Sequence, residues 1–375
     1  MKIIVAGDFC PRFRVESYFN TGNYSAVLSE AKTVIEKFDY SIVNFECPIV
    51  KEEAVPIEKQ GPNLKSNLNG LKAVKYADFD CVTLANNHFY DFGETGVSDT
   101  LSALDELNID FCGGGKDIFQ ASKVLYKEIN GERIAIINCC EHEFSIATEK
   151  QGGSNPINPI QQFYDIQEAK KNADYILVIV HGGHEFYQLP SIRMQETYRF
   201  FIDSGADAVI NHHQHCFSGY EIYNGKTIFY GLGNFLFDIS PVKINDTWNY
   251  GYMVGLTFST QGISSEIIPY EQCGEKAEVK LLPQGSFDEK LNELNAIISD
   301  KKALKKETEE YYRQTCFDIG HSVLEPIKNH YYFSALKKKL VPSLISKKLK
   351  LRAENFICCE SHRDKLIYFF NKSLK

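Results

Sequence analysis

Residues 175–185 read Tyr175-Ile176-Leu177-Val178-Ile179-Val180-His181-Gly182-Gly183-His184-Glu185. An apolar run without polar alternation describes a strand buried on both faces, as in parallel sheets covered by helices. The run then stops on histidines, glycines and a glutamate, residues suited to metals and protons rather than to a core. Working outward, the same pattern recurs. Asp8 ends the run 2–7, and Asn44 and Glu46 end 41–45. Asn86-Asn87-His88, with Asp91 three residues on, follows 81–84, and His212-His213-Gln214-His215 follows 208–210. Gly233-Asn234 follows a hairpin strand. Open α/β sheets build their sites at the carboxyl ends of strands, so these ends are expected to converge.

Further strand candidates are 109–112 and 134–139, and helical patterns fall between strands at 24–38, 94–107, 159–173 and 192–204. Strand and helix in series argue for a layered α/β domain. Asn130-Gly131 and Asn224-Gly225 each sit between β-rich runs and predict tight hairpins with type I′ turns. The runs 252–259 and 264–269 predict a closing antiparallel pair, so the sheet is expected to be mixed. Gly113-Gly114-Gly115 lacks a P-loop lysine and is read as a flexible turn.

After Pro283 the pattern is helical, at 287–299 and 301–316, which suggests a domain over 1–285 and a basic helical region over 286–375. Leu336, Leu340, Val341, Leu344 and Ile345 fall at helical spacing among Lys337-Lys338-Lys339 and Lys347-Lys348, with Pro342 splitting the segment into two short helices. Such a region either packs as a helical pair with a solvated lysine face or meets an anionic membrane surface or polymer.

Composition narrows the class. The chain has 375 residues, 43% hydrophobic and 24% charged, which excludes collagen-like and disordered proteins. No apolar run reaches the roughly 18–20 residues of a membrane span. The N-terminus enters a strand directly and shows no secretory signal. Eleven cysteines without a C-x-x-C pair, with Cys139-Cys140 and Cys358-Cys359 adjacent, are read as reduced thiols of a cytoplasmic protein. Residues 300–375 hold 17 Lys and Arg against 9 Asp and Glu, leaving an acidic remainder of 24 against 40. Nothing matches a nucleic-acid reading motif.

Carboxylates and neutral imidazoles bind divalent transition metals, and an amide oxygen adds a neutral ligand. Two such ions can clamp the oxygens of an in-line displacement at phosphorus. His142 follows a strand as well and is either a cleft residue or a loop residue. His184 and His212 are expected to support the site or lie on the surface.

In order, Gly7-Asp8, Asn44-x-Glu46, Asn86-Asn87-His88-x-x-Asp91, His181-Gly182-Gly183-x-Glu185, Gly205-Ala206-Asp207 with His213-x-His215, and Gly233-Asn234-x resemble the CapA/PgsA-type capsule (poly-γ-glutamate) biosynthesis family, within the calcineurin-like metallophosphoesterase superfamily. The resemblance covers roughly residues 1–240. It implies a metallophosphoesterase-like α/β sandwich of mixed sheets flanked by helices, here with a C-terminal helical extension. It implies one metal on Asp8 and His215, another on Asn87, His181 and His213, and Glu46 between them. His88, oriented by Asp91, would protonate the leaving group or stabilise the transition state; Asn44, Glu185 and Asn234 would orient ligands or contact substrate. The cofactors implied are divalent ions, Mn, Fe or Zn, and two in number. The expected activity is phosphoester hydrolysis in capsule or exopolymer synthesis. Alternatives are metal-dependent cleavage of γ-glutamyl amide bonds and a non-catalytic assembly role in a polymer-synthesis complex. The expected partner is an anionic polymer or a phosphoester, without nucleic acid, and the basic tail allows peripheral contact at the inner membrane face. Three departures stand out: Asp8-Phe9-Cys10 replaces D-x-H, the familiar glycine before H-x-H is replaced in Asn211-His212-His213-Gln214-His215, and Gly182 stands where tryptophan is common.

Overall fold

The structure is a computed structural model describing residues 1–51, 53–259, 262–358 and 362. Cys359 of the second adjacent cysteine pair, and part of the basic region 286–375, lie outside the described residues. The chain divides into two units, Met1–Lys305 and Lys306–Lys375.

Two mixed sheets organise the first unit. One has the strand order Val279–Leu281, Gly262–Gln272, Tyr250–Ser259, Lys2–Cys10, Tyr40–Phe45, Cys81–Thr83 and Asp110–Cys112. Asn234–Phe237 also pairs with Lys2–Cys10, beyond the end of the Tyr250–Ser259 ladder. The other runs Tyr220–Tyr223, Lys226–Phe229, Ala208–His212, Tyr175–His181, Glu132–Cys140 and Leu125–Ile129. Within them the segments that carry site residues, from Lys2–Cys10 to Cys81–Thr83 and from Tyr175–His181 to Ala208–His212, pair in parallel. Their carboxyl ends therefore share an edge.

Alternation along the first strand builds the layers. Ile3 and Val5 join the core between the sheets, while Ile4 and Ala6 face the helices Phe13–Asn20, Ser25–Ile35, Leu68–Tyr76 and Gly93–Leu107. On the far side, Ile166 and Ala169 of Pro159–Asn172 and Met194, Tyr198 and Phe201 of Ile192–Ser204 cover the second sheet. Fully burying each large apolar side chain contributes roughly 1.5–3 kcal/mol, so both faces must be covered for the central strands to hold. The expected α/β sandwich of mixed sheets flanked by helices is the architecture observed.

Local signals work as the chemistry requires. Asn158 and Ser191 cap their helices through side-chain oxygens, and Gly205 closes the second of these helices in the left-handed region. Both Asn-Gly pairs have positive φ at both residues, the signature of type I′ turns. Two expectations are corrected. Gly113-Gly114-Gly115 is a buried crossing point rather than a flexible turn: a Cβ on Gly113 would lie 1.8 Å from Asn138 Oδ1. In the tail, Leu336 alone of the spaced apolar residues is helical, in His330–Lys337; Leu340, Val341, Leu344 and Ile345 lie in the connection to Lys347–Cys358. Pro342 falls in that connection, as its missing N–H favours. The buried Glu325 carboxylate draws the connection in, accepting from Ser343 Oγ, Leu344 N and Tyr332 OH. The helix Asp288–Ser299 belongs to the first unit, with Leu291, Leu294 and Ile298 in its core. No helix among the described residues is long and apolar enough to cross a membrane.

Candidate metal centre

Asp8 owes its position to a bulge. The register of Lys2–Cys10 shifts on both sides at residues 6–9, which turns the Asp8 carboxylate to the sheet edge. Gly7 permits this because a Cβ there would stand 1.9 Å from the Gly233 carbonyl oxygen, and Asp8 N donates to that same oxygen at 3.2 Å. Asp8 is buried; its Oδ1 accepts from Asn44 Nδ2 at 2.7 Å and its Oδ2 from the His213 backbone N–H at 3.2 Å.

His213 and His215 occupy the left-handed region, at φ 92° and 56°. Non-glycine residues persist there at about 1–3 kcal/mol each only when their surroundings fix them. Here they are fixed on both sides. The His215 Nδ1–H donates to Asn234 Oδ1 at 2.9 Å, Asn234 Nδ2 returns a bond to the His215 carbonyl at 3.1 Å, and Trp248 packs on the ring at 4.9 Å. That tautomer leaves Nε2 as the lone-pair nitrogen, 3.7 Å from Glu46 Oε1.

Glu46 stands between the two halves. Its Oε1 is also 3.7 Å from His181 Nε2, and both carboxylate oxygens are buried without a hydrogen-bond partner. His181 Nε2 faces His213 Nδ1 at 3.0 Å and Asn87 Oδ1 at 3.1 Å. Two donor sets result, Glu46 with His181 and His213, and Asp8 with Glu46 and His215, the atoms of each within 4.8 Å of one another. Burial, then the charge of Asp8, holds the Glu46 carboxyl well above its ordinary value. Burial and the neighbouring imidazoles hold His181 well below its own. An orphaned buried carboxylate and imidazole nitrogens converging on one point suit divalent cations.

Of the other expected residues, Asn44 is the hub: it donates to Asp8, lies 3.2 Å from His181 Nδ1, and accepts from Thr83 Oγ1. His88 Nδ1 lies 2.7 Å from Asp91 Oδ2 in a buried pair. Burial lowers the His88 pKa, against the pull of Asp91. Asn234 braces His215. Glu185 is exposed and hydrogen-bonds to none of these residues, but its charge acts on Glu46 and His215, which places it at the rim. His212 reaches Ala6 O at 2.9 Å and ties the sheets together. His142 is exposed and lines an open hollow of about 610 Å³ with Glu141, Glu143 and Arg193. Cys10 belongs to neither donor set; it is buried beside Cys47, so D-x-H has no thiol substitute here.

Three contributors escaped the sequence reading. Lys59, buried in a segment without periodicity, pairs with Asp91 and comes within 3.2 Å of His88 Nδ1. Glu143 accepts from Asn87 Nδ2 at 3.0 Å. Glu141 accepts from Gly183 N at 3.0 Å and from Arg193; burial opposes its ionisation, yet these two donors hold it below its ordinary value. Both glutamates follow the end of the strand Glu132–Cys140, the same signal that marks the other site residues.

The family model for the bacterial capsule synthesis protein PGA_cap matches residues 2–239. Capsule biosynthesis protein CapA of Bacillus anthracis is 31% identical over 255 residues, covering 66% of this chain and 62% of that protein. PGA biosynthesis protein CapA of Bacillus subtilis strain 168 is 31% identical over 244 residues, covering 64% of each. A 5'-nucleotidase precursor from Thermus thermophilus aligns with TM-score 0.45 and 12% identity, over 78% of this chain and 57% of that one. The chain spans under two thirds of the length of both CapA relatives. It belongs to the PGA_cap capsule synthesis family.

Proposed function

We propose that this chain is a metal-dependent hydrolase acting on a phosphoester in the synthesis of a capsule-type anionic polymer. The observation that carries the reading is the pair of buried donor sets sharing Glu46. Asp8, Glu46 and His215 would hold one divalent ion, and Glu46, Asn87, His181 and His213 the other, with Mn, Fe or Zn suited to such ligands. When bound, the ions would supply Lewis-acid charge for polarising a phosphoryl oxygen and for acidifying water.

The remaining work falls to the chain. Asp91 takes the His88 Nδ1–H, which leaves Nε2 to donate a proton to the departing oxygen when the ring is charged. Asn44 fixes the Asp8 carboxylate, Asn234 fixes the His215 tautomer, and Lys59 offsets the buried charge of Asp91.

The test is metal content of the purified and reloaded protein together with turnover of bis(p-nitrophenyl) phosphate. Two bound equivalents and turnover that vanishes in His213→Ala support the proposal. A protein that takes up no Mn, Fe or Zn defeats it. A loaded protein inert on phosphodiesters that shortens poly-γ-glutamate moves the reaction to amide cleavage, the reading favoured by the naming of the B. subtilis relative for PGA biosynthesis. A loaded protein inert on both, whose His213→Ala form still supports polymer production, leaves an assembly role.

A further inference from the structure

Asparagine binds a cation only through its oxygen, and its two amide ends have nearly the same shape. Something must decide which end faces the ions. At Asn87 the outward end, Nδ2, meets Glu143 Oε2 at 3.0 Å while Oδ1 lies 3.1 Å from His181 Nε2. An ionised carboxylate only accepts, so it tolerates the NH2 end and rejects the oxygen.

Glu143 belongs to a segment that holds the loops carrying Asn87, His88 and His181. Glu141 takes the Gly183 N–H just past His181, and the Ser145 hydroxyl takes the Tyr90 N–H just past His88. Phe144 lies under the Lys59 ammonium, with 5.7 Å from Nζ to the ring centre. Gly182 belongs to the same arrangement. A Cβ there would stand 2.6 Å from Glu141 Cγ, so a side chain after His181 would force Glu141 to shift.

We infer that Glu143 is a positioning residue, which turns the Asn87 amide oxygen toward the ion held with His181 and His213, and that residues 141–145 brace that half of the centre. The inference rests on the metal reading proposed above. Glu143 is exposed, so its substitution leaves the core untouched.

The experiment is manganese titration of full-length protein by calorimetry, comparing wild type, Glu143→Gln and Glu143→Lys, with thermal melting to confirm equal folding. Glutamine still presents an acceptor and is expected to bind as wild type does. Lysine presents donors, which favour the reversed amide, and is expected to weaken one of two equivalents about 10–100-fold while sparing the other. Wild-type binding at both positions in Glu143→Lys overturns the inference and leaves the metal reading intact. The metal-free protein gives a separate readout: the Asn87 side-chain NH2 resonances, assigned through Asn87→Asp, are expected to move in Glu143→Lys. Unmoved resonances overturn the inference, whereas absence of manganese uptake by wild type defeats the metal reading instead.

Discussion

Glu46 is the residue on which both halves of the centre depend. Because it belongs to both donor sets, Glu46→Gln is expected to weaken both equivalents, whereas His213→Ala and His215→Ala each weaken one. Metal content after loading and dialysis distinguishes the three. The same substitution replaces a buried acid set against the charge of Asp8 with a neutral amide, so metal-free Glu46→Gln is expected to melt no lower than wild type. The sign of the pH dependence follows from burial, which with Asp8 raises the Glu46 pKa. The native state then holds a proton that the unfolded chain releases, so this group's contribution to metal-free stability falls as pH rises above the ordinary glutamate value. A cation must displace that proton, so affinity for manganese is expected to rise with pH above the ordinary glutamate value, with proton release seen as a buffer-dependent binding enthalpy. At this scale the expected ligands were legible because each stands at or just past the end of an apolar run. Lys59 was not, since only the folded chain brings it to Asp91.

Elements set the positions that these residues exploit. The bulge at Gly7 and Asp8 needs a glycine against the Gly233 carbonyl, which has no rotamer with which to move aside. Gly7→Ala is expected to cost about 1–3 kcal/mol in urea unfolding and to lower metal uptake by shifting Asp8. Gly182→Ala pushes Glu141 off the Gly183 N–H and is expected to weaken the His181 half while leaving the Asp8 half in place. The strands were readable because doubly buried segments write themselves as apolar runs, and the hairpins because Asn-Gly answers to positive φ at both residues. The helices Phe13–Asn20 and Leu68–Tyr76 were not, being only 8 and 9 residues long. In the tail the spacing from Leu336 to Ile345 imitates a helix, but Pro342 and the acceptor Glu325 impose a different path.

On the scale of the whole molecule, all the expected ligands lie in Met1–Lys305, whereas the lysine-rich helix Lys301–Leu324 starts at the end of that unit and runs beyond it. A protein ending at Lys305 is expected to keep the helical and β content of its unit by circular dichroism and to bind manganese as the full chain does. If the tail meets anionic surfaces, the same truncation abolishes sedimentation with phosphatidylglycerol vesicles. The composition change near residue 285 was legible, but the packing of Leu291, Leu294 and Ile298 into the core was not, because amphipathic spacing does not say which surface a helix covers. One consequence comes from the first strand lying in the middle of its sheet. Lys2–Cys10 is finished on one side by Tyr40–Phe45 and on the other by Asn234–Phe237 and Tyr250–Ser259. A nascent chain leaving the ribosome thus exposes an aggregation-prone apolar edge until more than two hundred further residues have emerged. Placement of the Asp8 carboxylate in its donor set is expected to await that late closure.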